Sequence, residues 1–216
     1  MIARNKIITS LACGVIALAT ATTGVANLIV NPSFEDGLTG WTVDGKGGTV
    51  ETSTAYAQSG TLSLAIDATG AGAWASPEAF QSFAASEGDE FYFSGYMLTP
   101  TVIPNASFGV LKMVFRNAGG ADLVPASVSL GNLNIAFPGA ESDPLDSSGP
   151  AETWVFGETQ AVAPADTVSV SFYLLNVNSA SSGTIYFDTI TAVPEPTSLA
   201  LLGLGLLGLK GIRRRK

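Results

Sequence analysis

The sequence has no histidine and a single cysteine among its 216 residues. Without histidine there is no imidazole to serve as a general base near neutral pH. A Ser-His-Asp or Cys-His nucleophile pair and a His-ligated zinc or haem are excluded with it. One cysteine builds neither a disulfide framework nor a thiolate-rich metal site. Charge is scarce as well, at 13%, and positive charge in the interior of the chain is scarcest. Between Asn27 and Val193 only Lys46, Lys112 and Arg116 are basic, against 17 acids, a balance of −14. So acidic a body repels phosphate backbones and excludes ordinary nucleic-acid binding. It suits an extracytoplasmic surface or a divalent cation. Long apolar runs are missing too: neither hydrophobic end reaches the roughly 20 residues of an ordinary spanning helix.

The two ends read as addresses. Residues 1–26 have the three parts of a secretory signal: Arg4 and Lys6, an uncharged apolar stretch from Ile7 to Ala21, and small residues in Gly24-Val25-Ala26. The expected cut precedes Asn27, with a rival site after Ala21. Cys13 follows Ser10-Leu11-Ala12, which lacks the aliphatic residue of a lipoprotein signal, so cleavage discards it and the mature chain is cysteine-free. At the other end, Val193-Pro194-Glu195-Pro196 precedes an 11-residue apolar run, Leu199–Leu209, and the basic cluster Arg213-Arg214-Arg215-Lys216. The cations favour the cytoplasmic side and leave the body outside. A proline-rich turn, a short apolar helix and a basic stop follow the logic of a removable anchor. This order resembles the PEP-CTERM sorting signal of Gram-negative bacteria. The resemblance implies export, transient anchoring in the inner membrane by a short C-terminal transmembrane helix, and recognition of Pro194, Glu195, Pro196, Arg213, Arg214 and Arg215 by an exosortase-type membrane enzyme. Delivery to the cell surface or the extracellular matrix follows. The division expected is a signal at 1–26, a body at 27–192 and a sorting signal at 193–216.

Within the body, turn residues recur every 8–12 positions and short runs alternate in polarity, the period of strands with one buried face. Leu111, Met113 and Phe115 alternate with Lys112, Val114 and Arg116; Phe91 and Phe93 with Tyr92 and Ser94; Val168, Val170, Phe172 and Leu174 with Ser169, Ser171 and Tyr173; Ile185 and Phe187 with Tyr186 and Asp188. The pattern predicts strands near 28–31, 40–44, 48–54, 61–67, 78–85, 89–98, 107–117, 152–162, 167–177 and 183–192. The fold class is all-β, a jelly-roll sandwich. Residues 119–151, rich in Gly, Pro, Ala, Asp and Ser, read as a long excursion with one weak strand near 126–130.

The opening Asn27-Leu-Ile-Val-Asn-Pro-Ser-Phe-Glu35, the following Gly40-Trp41, Ala57-Gln-Ser-Gly-Thr-Leu-Ser-Leu64 and Gly183-Thr-Ile-Tyr-Phe-Asp188 resemble the CenC-type carbohydrate-binding modules and related galactose-binding-like jelly rolls. Thr189 stands where those modules commonly carry a second acid. The resemblance implies a structural calcium ion joining the first strand to the last, held by the carboxylates of Glu35 and Asp188 and by backbone oxygens near Ser33 and Gln58. Calcium takes six to eight oxygens; the alternative is two solvated or hydrogen-bonded acids.

Sugar rings stack on aromatic planes. Trp41, Trp74 and Trp154, with Tyr92, Tyr96 and Tyr173, are the candidate platforms. Aromatics in a sandwich are more often core, and Trp41 stands at the family's usual packing position. Tyr92, Tyr96 and Tyr173 fall on strand faces opposite the core and, with Trp74, are the preferred ligand contacts. Glu87-Gly-Asp89-Glu90 superficially resembles the acidic motif of laminarinase-like enzymes, but Asp89 and Glu90 are adjacent and cannot share a strand face. The expected protein is a non-catalytic, exported surface protein that contacts extracellular polysaccharide. A matrix component without a small-sugar ligand is the alternative, and a polysaccharide-active enzyme a more distant one.

Overall fold

A computed structural model describes residues 26–103, 107–179 and 183–195, and it has thirteen strands and no helix among them. They are β1 (Thr42–Asp44), β2 (Thr49–Ser53), β3 (Ser63–Asp67), β4 (Glu78–Ala84), β5 (Glu90–Leu98), β6 (Phe108–Arg116), β7 (Asp122–Leu123), β8 (Ser127–Leu130), β9 (Asn132–Asn134), β10 (Gly139–Glu141), β11 (Val155–Val162), β12 (Ser169–Val177) and β13 (Thr184–Glu195). The expected secretory signal through residue 25, Pro196, the apolar tail and Arg213, Arg214 and Arg215 lie outside the described residues. Among those described, no helix is long and apolar enough to cross a membrane.

Two antiparallel sheets face each other. One runs β1-β4-β12-β6-β10-β9 with β7 added beside β6; the other runs β2-β3-β13-β5-β11-β8. Alternation explains the packing. Leu111, Met113 and Phe115 from β6 and Phe172 and Leu174 from β12 point inward, against Leu64, Ile66, Phe91, Phe93, Met97, Ile185 and Phe187 from the other sheet. The centre is aromatic: Phe172 lies 5.0 Å from Phe93 and 5.9 Å from Phe91, centroid to centroid. Residues one step along each strand point outward, so each sheet has an outer face whose chemistry is free to vary.

Two expectations need correction. Residues 28–31 form no strand. Asn31 and Phe34 sit at φ 52° and 60°, turning the chain so that Phe34 enters the core and stacks on Trp41 at 5.1 Å. The excursion holds four short strands rather than one. β7 and β10 pair with β6, β9 pairs with β10, and β8 extends the other sheet through β11. Two of the four, β7 and β10, are tied to β6 by ion pairs that a search for alternating apolar residues does not register. In addition, β13 continues past residue 192 through Glu195.

Candidate functional site

The outer face of the seven-stranded sheet carries a groove of about 570 Å³. Its floor is a small apolar cluster distinct from the core: Val110 and Val114 of β6 and Tyr173 and Leu175 of β12, joined by Phe80, Phe108 and Val177. Tyr173 stacks on Phe80 at 4.8 Å and is 8% exposed. Its hydroxyl accepts a hydrogen bond from Arg116 Nη2 at 2.7 Å. Tyr173 is therefore a floor residue that presents little of its ring.

The rims are aromatic and exposed. Trp74, in the loop between β3 and β4, is 66% exposed. The loop is strapped to the end of β12: Trp74 N–H donates to the Asn178 carbonyl, Asn178 N–H to Ala75 O at 3.0 Å, and Asn178 Nδ2 to Ala71 O at 3.1 Å. Trp74 has φ 62°, a conformation that bulky L residues rarely adopt and that surrounding bonds must enforce. On the opposite rim, Phe137 is 73% exposed. It follows β9 in the excursion, its N–H donates to Asn134 Oδ1 at 2.9 Å, and its carbonyl accepts from Lys112 Nζ at 2.7 Å.

All three cations of the acidic body line this groove, and each meets an acid that lines it too. Lys46 pairs with Glu78 at 2.8 Å, Lys112 with Glu141 at 2.9 Å and Arg116 with Asp122 at 2.8 Å. The last two pairs join register partners, tying β10 and β7 to β6. Gly139 is needed there, because a Cβ would stand 2.7 Å from Lys112 Cε and 2.8 Å from the Met113 carbonyl. The groove thus offers apolar planes beside ion pairs whose outer lone pairs and N–H groups can meet hydroxyls.

Of the residues singled out in the sequence, Trp74 and Tyr173 come together here. Tyr92 and Tyr96 do not; they lie on the outer face of the opposite sheet. Tyr92 donates to Glu158 Oε2 at 2.6 Å. Burial, followed by this bond, raises its pKa. Tyr96 packs on Phe156 at 5.2 Å. Phe137 and the three ion pairs escaped the sequence reading. An isolated Phe within a polar, glycine-rich stretch, and three lone cations in an acidic chain, were the available signals.

Glu35, Gln58 and Asp188 also converge, on the turn at 58–62, with Ser33 in the preceding segment. Asp188, buried, accepts from Gln58 N at 2.7 Å and Ser59 N at 2.9 Å on one oxygen and from Thr189 N at 2.6 Å on the other. Glu35 accepts from Leu62 N at 2.8 Å and Thr61 N at 2.9 Å on one oxygen and from Thr61 Oγ1 at 2.9 Å on the other. Gln58 Oε1 accepts from Thr189 Oγ1 at 2.6 Å. Gly60, at φ 67°, passes so close to Glu35 that any Cβ would collide with the carboxylate. N–H donors thus face the lone pairs a calcium ion would need. As placed, the donor set does not fit calcium. The Leu62 and Thr61 bonds lower the Glu35 pKa; burial raises that of Asp188 against the pull of its N–H donors.

Residues 192–216 match the PEP-CTERM protein-sorting motif. No curated protein matches the sequence. Among solved structures, the chain is similar to a family 16 carbohydrate-binding module (16% identity, TM-score 0.52, 77% of this chain and 99% of that one). It is similar to a xylan-binding domain of carbohydrate-binding module family 22 (16%, 0.52, 78% and 96%). It also resembles part of an arabinose-bound α-L-arabinofuranosidase (13%, 0.57, 79% and 26%). At these identities the likenesses establish the fold, a carbohydrate-binding-module-like jelly roll.

Proposed function

We propose that this is an exported, non-catalytic surface protein that binds a hydroxyl-rich extracellular polysaccharide in the groove of its seven-stranded sheet, and that an exosortase-type enzyme processes its tail at the inner membrane. The observation that carries the binding reading is the pairing of two exposed aromatic rims, Trp74 and Phe137, across an apolar floor flanked by ion pairs. Rings stack on the apolar faces of pyranoses and charged groups direct the hydroxyls. The module-like neighbours support it, and the sorting motif supports export and processing. Each acid lining the groove is already paired with a cation, which disfavours a free general acid of the kind a glycosidase uses. Glu35 and Asp188 act in this reading as a direct staple between the 58–62 turn and the two ends of the body, without a metal.

Affinity electrophoresis and calorimetry against soluble xylan, mannan and β-glucan test the binding. Saturable binding to at least one is expected, with no reducing ends released. Trp74→Gly removes the ring and suits the positive φ, so it should weaken binding at least about tenfold while keeping the melting temperature. Binding to none of the polymers, or a Trp74→Gly protein that binds as the parent does, would sink the reading.

A further inference from the structure

The sorting motif does not begin outside the fold. Val193, Pro194 and Glu195 are the last three residues of β13 and lie opposite Tyr92, Phe91 and Glu90 of β5. On its other side β13 changes neighbour along its length. β3 pairs with Thr184–Phe187 only. Then the first described segment takes over: Ile190 N–H donates to Pro32 O at 2.9 Å and Leu28 N–H to Ala192 O at 2.8 Å. Asn27 closes this contact with its side chain, donating from Nδ2 to Ile190 O at 2.9 Å and accepting from Ala192 N at 2.9 Å. The same Oδ1 accepts from Ile29 N at 3.1 Å, which fixes the amide's orientation.

Backbone direction alternates along a strand. The N–H and C=O of Ala192 face the Asn27 segment, so those of Val193 and Glu195 face β5, and the nitrogen of Pro194 lies on the side away from β5. Proline has no N–H to give. Its place here removes no ladder bond, and the strand can run into the motif instead of stopping before it.

We infer that the Asn27 clamp governs access to the sorting motif: it holds the root of β13's last three residues, so the motif's first half stays in the sheet until that strand end frays, and the processing enzyme meets the motif where the strand leaves the body. The clamp lies at the residue that an export cut before Asn27 would make the first of the mature chain. Both ends of the body then meet at one corner of the sandwich. This rests on the proposed processing of the tail, and it adds a folded-state control to it.

The test uses the full-length chain in a host that carries the processing enzyme, with tail release followed by intact mass, and hydrogen exchange on the purified protein. Asn27→Ala removes both side-chain bonds to β13, along with the local one from Ile29 N–H. Exchange at the Val193 and Glu195 amides should rise about tenfold, as for loss of roughly one net hydrogen bond, and tail release should quicken in step. A second variant pushes the other way. Tyr92→Cys with Val193→Cys joins directly opposed residues of neighbouring strands, whose spacing suits a disulfide, in a mature chain otherwise free of cysteine. The oxidised protein should release its tail several-fold more slowly and recover with reductant. Unchanged release in either variant overturns the clamp, as does faster release without faster exchange. A parent protein whose tail is never cut overturns the processing reading itself, and the clamp's role falls with it.

Discussion

The two outer faces of the sandwich are built from the same alternation and end up with different uses. On the seven-stranded side, outward residues of β6 and β12 sink into an apolar cluster, and the excursion and the 68–77 loop raise walls around it, so that Trp74 and Phe137 stand 66% and 73% exposed at the edges of a cavity. On the six-stranded side the outward aromatics satisfy one another: Tyr56 packs on Tyr186 at 4.9 Å, Tyr96 on Phe156 at 5.2 Å, and Tyr92 is bonded to Glu158. Its loops, with Asp188, Glu35 and Asn27, serve to hold the two ends of the described body. An outward-facing tyrosine is thus only a candidate platform. The loops that wall a sheet decide whether it becomes part of a site.

The largest effect that separates the faces is expected at Lys112. It links floor to wall, reaching Glu141 at 2.9 Å and the Phe137 carbonyl at 2.7 Å, with only 11% of its side chain exposed. Lys112→Ala leaves Glu141 short of its counter-charge and unpins the rim. The loss of a mostly buried partner costs up to 3–5 kcal/mol, and residual exposure here brings that to about 2 kcal/mol. Polysaccharide affinity should fall at least about tenfold together with the melting temperature. Chemical denaturation and calorimetry on one sample read both, and a variant with intact affinity would show that the excursion is not a working wall.

Tyr96→Ala on the opposite face should cost less, about 1–2 kcal/mol of stability from a half-buried ring and its contact with Phe156. Its affinity for polysaccharide should stay within twofold of the parent. A tenfold loss would erase the distinction between the faces and restore Tyr96 as a platform.

Much of this was legible in advance. Strands β5, β6, β12 and β13 each bury alternate apolar residues, and a period of two is visible without any structure. The convergence of Glu35, Gln58 and Asp188 was legible through family resemblance; the N–H donors of residues 58–62 that face the two carboxylates were not, because a turn's backbone direction leaves no mark in residue types. The walls were not legible. Two- to four-residue strands such as β7 and β10 have too few positions to show a period, and they are held by Arg116–Asp122 and Lys112–Glu141 pairs that become neighbours only after β6 is in its sheet. Trp74 stood out as a residue type, but its presentation depends on a strained φ enforced by Asn178 from the far end of the chain.

The smallest expected effect concerns the carboxylate staple, and its sign is worked out from opposed shifts. Glu35 has a folded pKa below its ordinary 4.5, set first by the Leu62 N–H and then by Thr61. Its contribution to stability is therefore present above pH 4.5 and lost as the pH falls through the lowered value. Asp188 is raised above its ordinary 3.8 by burial, so its titration acts in the opposite sense, favouring the folded state at low pH and losing that contribution as the pH rises through the raised value. Glu35→Gln removes only the first. The melting difference between parent and variant should be widest near neutral pH and narrow below 4.5. Neither calcium nor EDTA should move the parent's melting temperature at pH 7, since the lone pairs already meet N–H groups from the turn. A calcium-dependent rise that Glu35→Gln abolishes would replace the hydrogen-bonded staple with a metal-bound one, and the six-stranded side would then carry a site of its own.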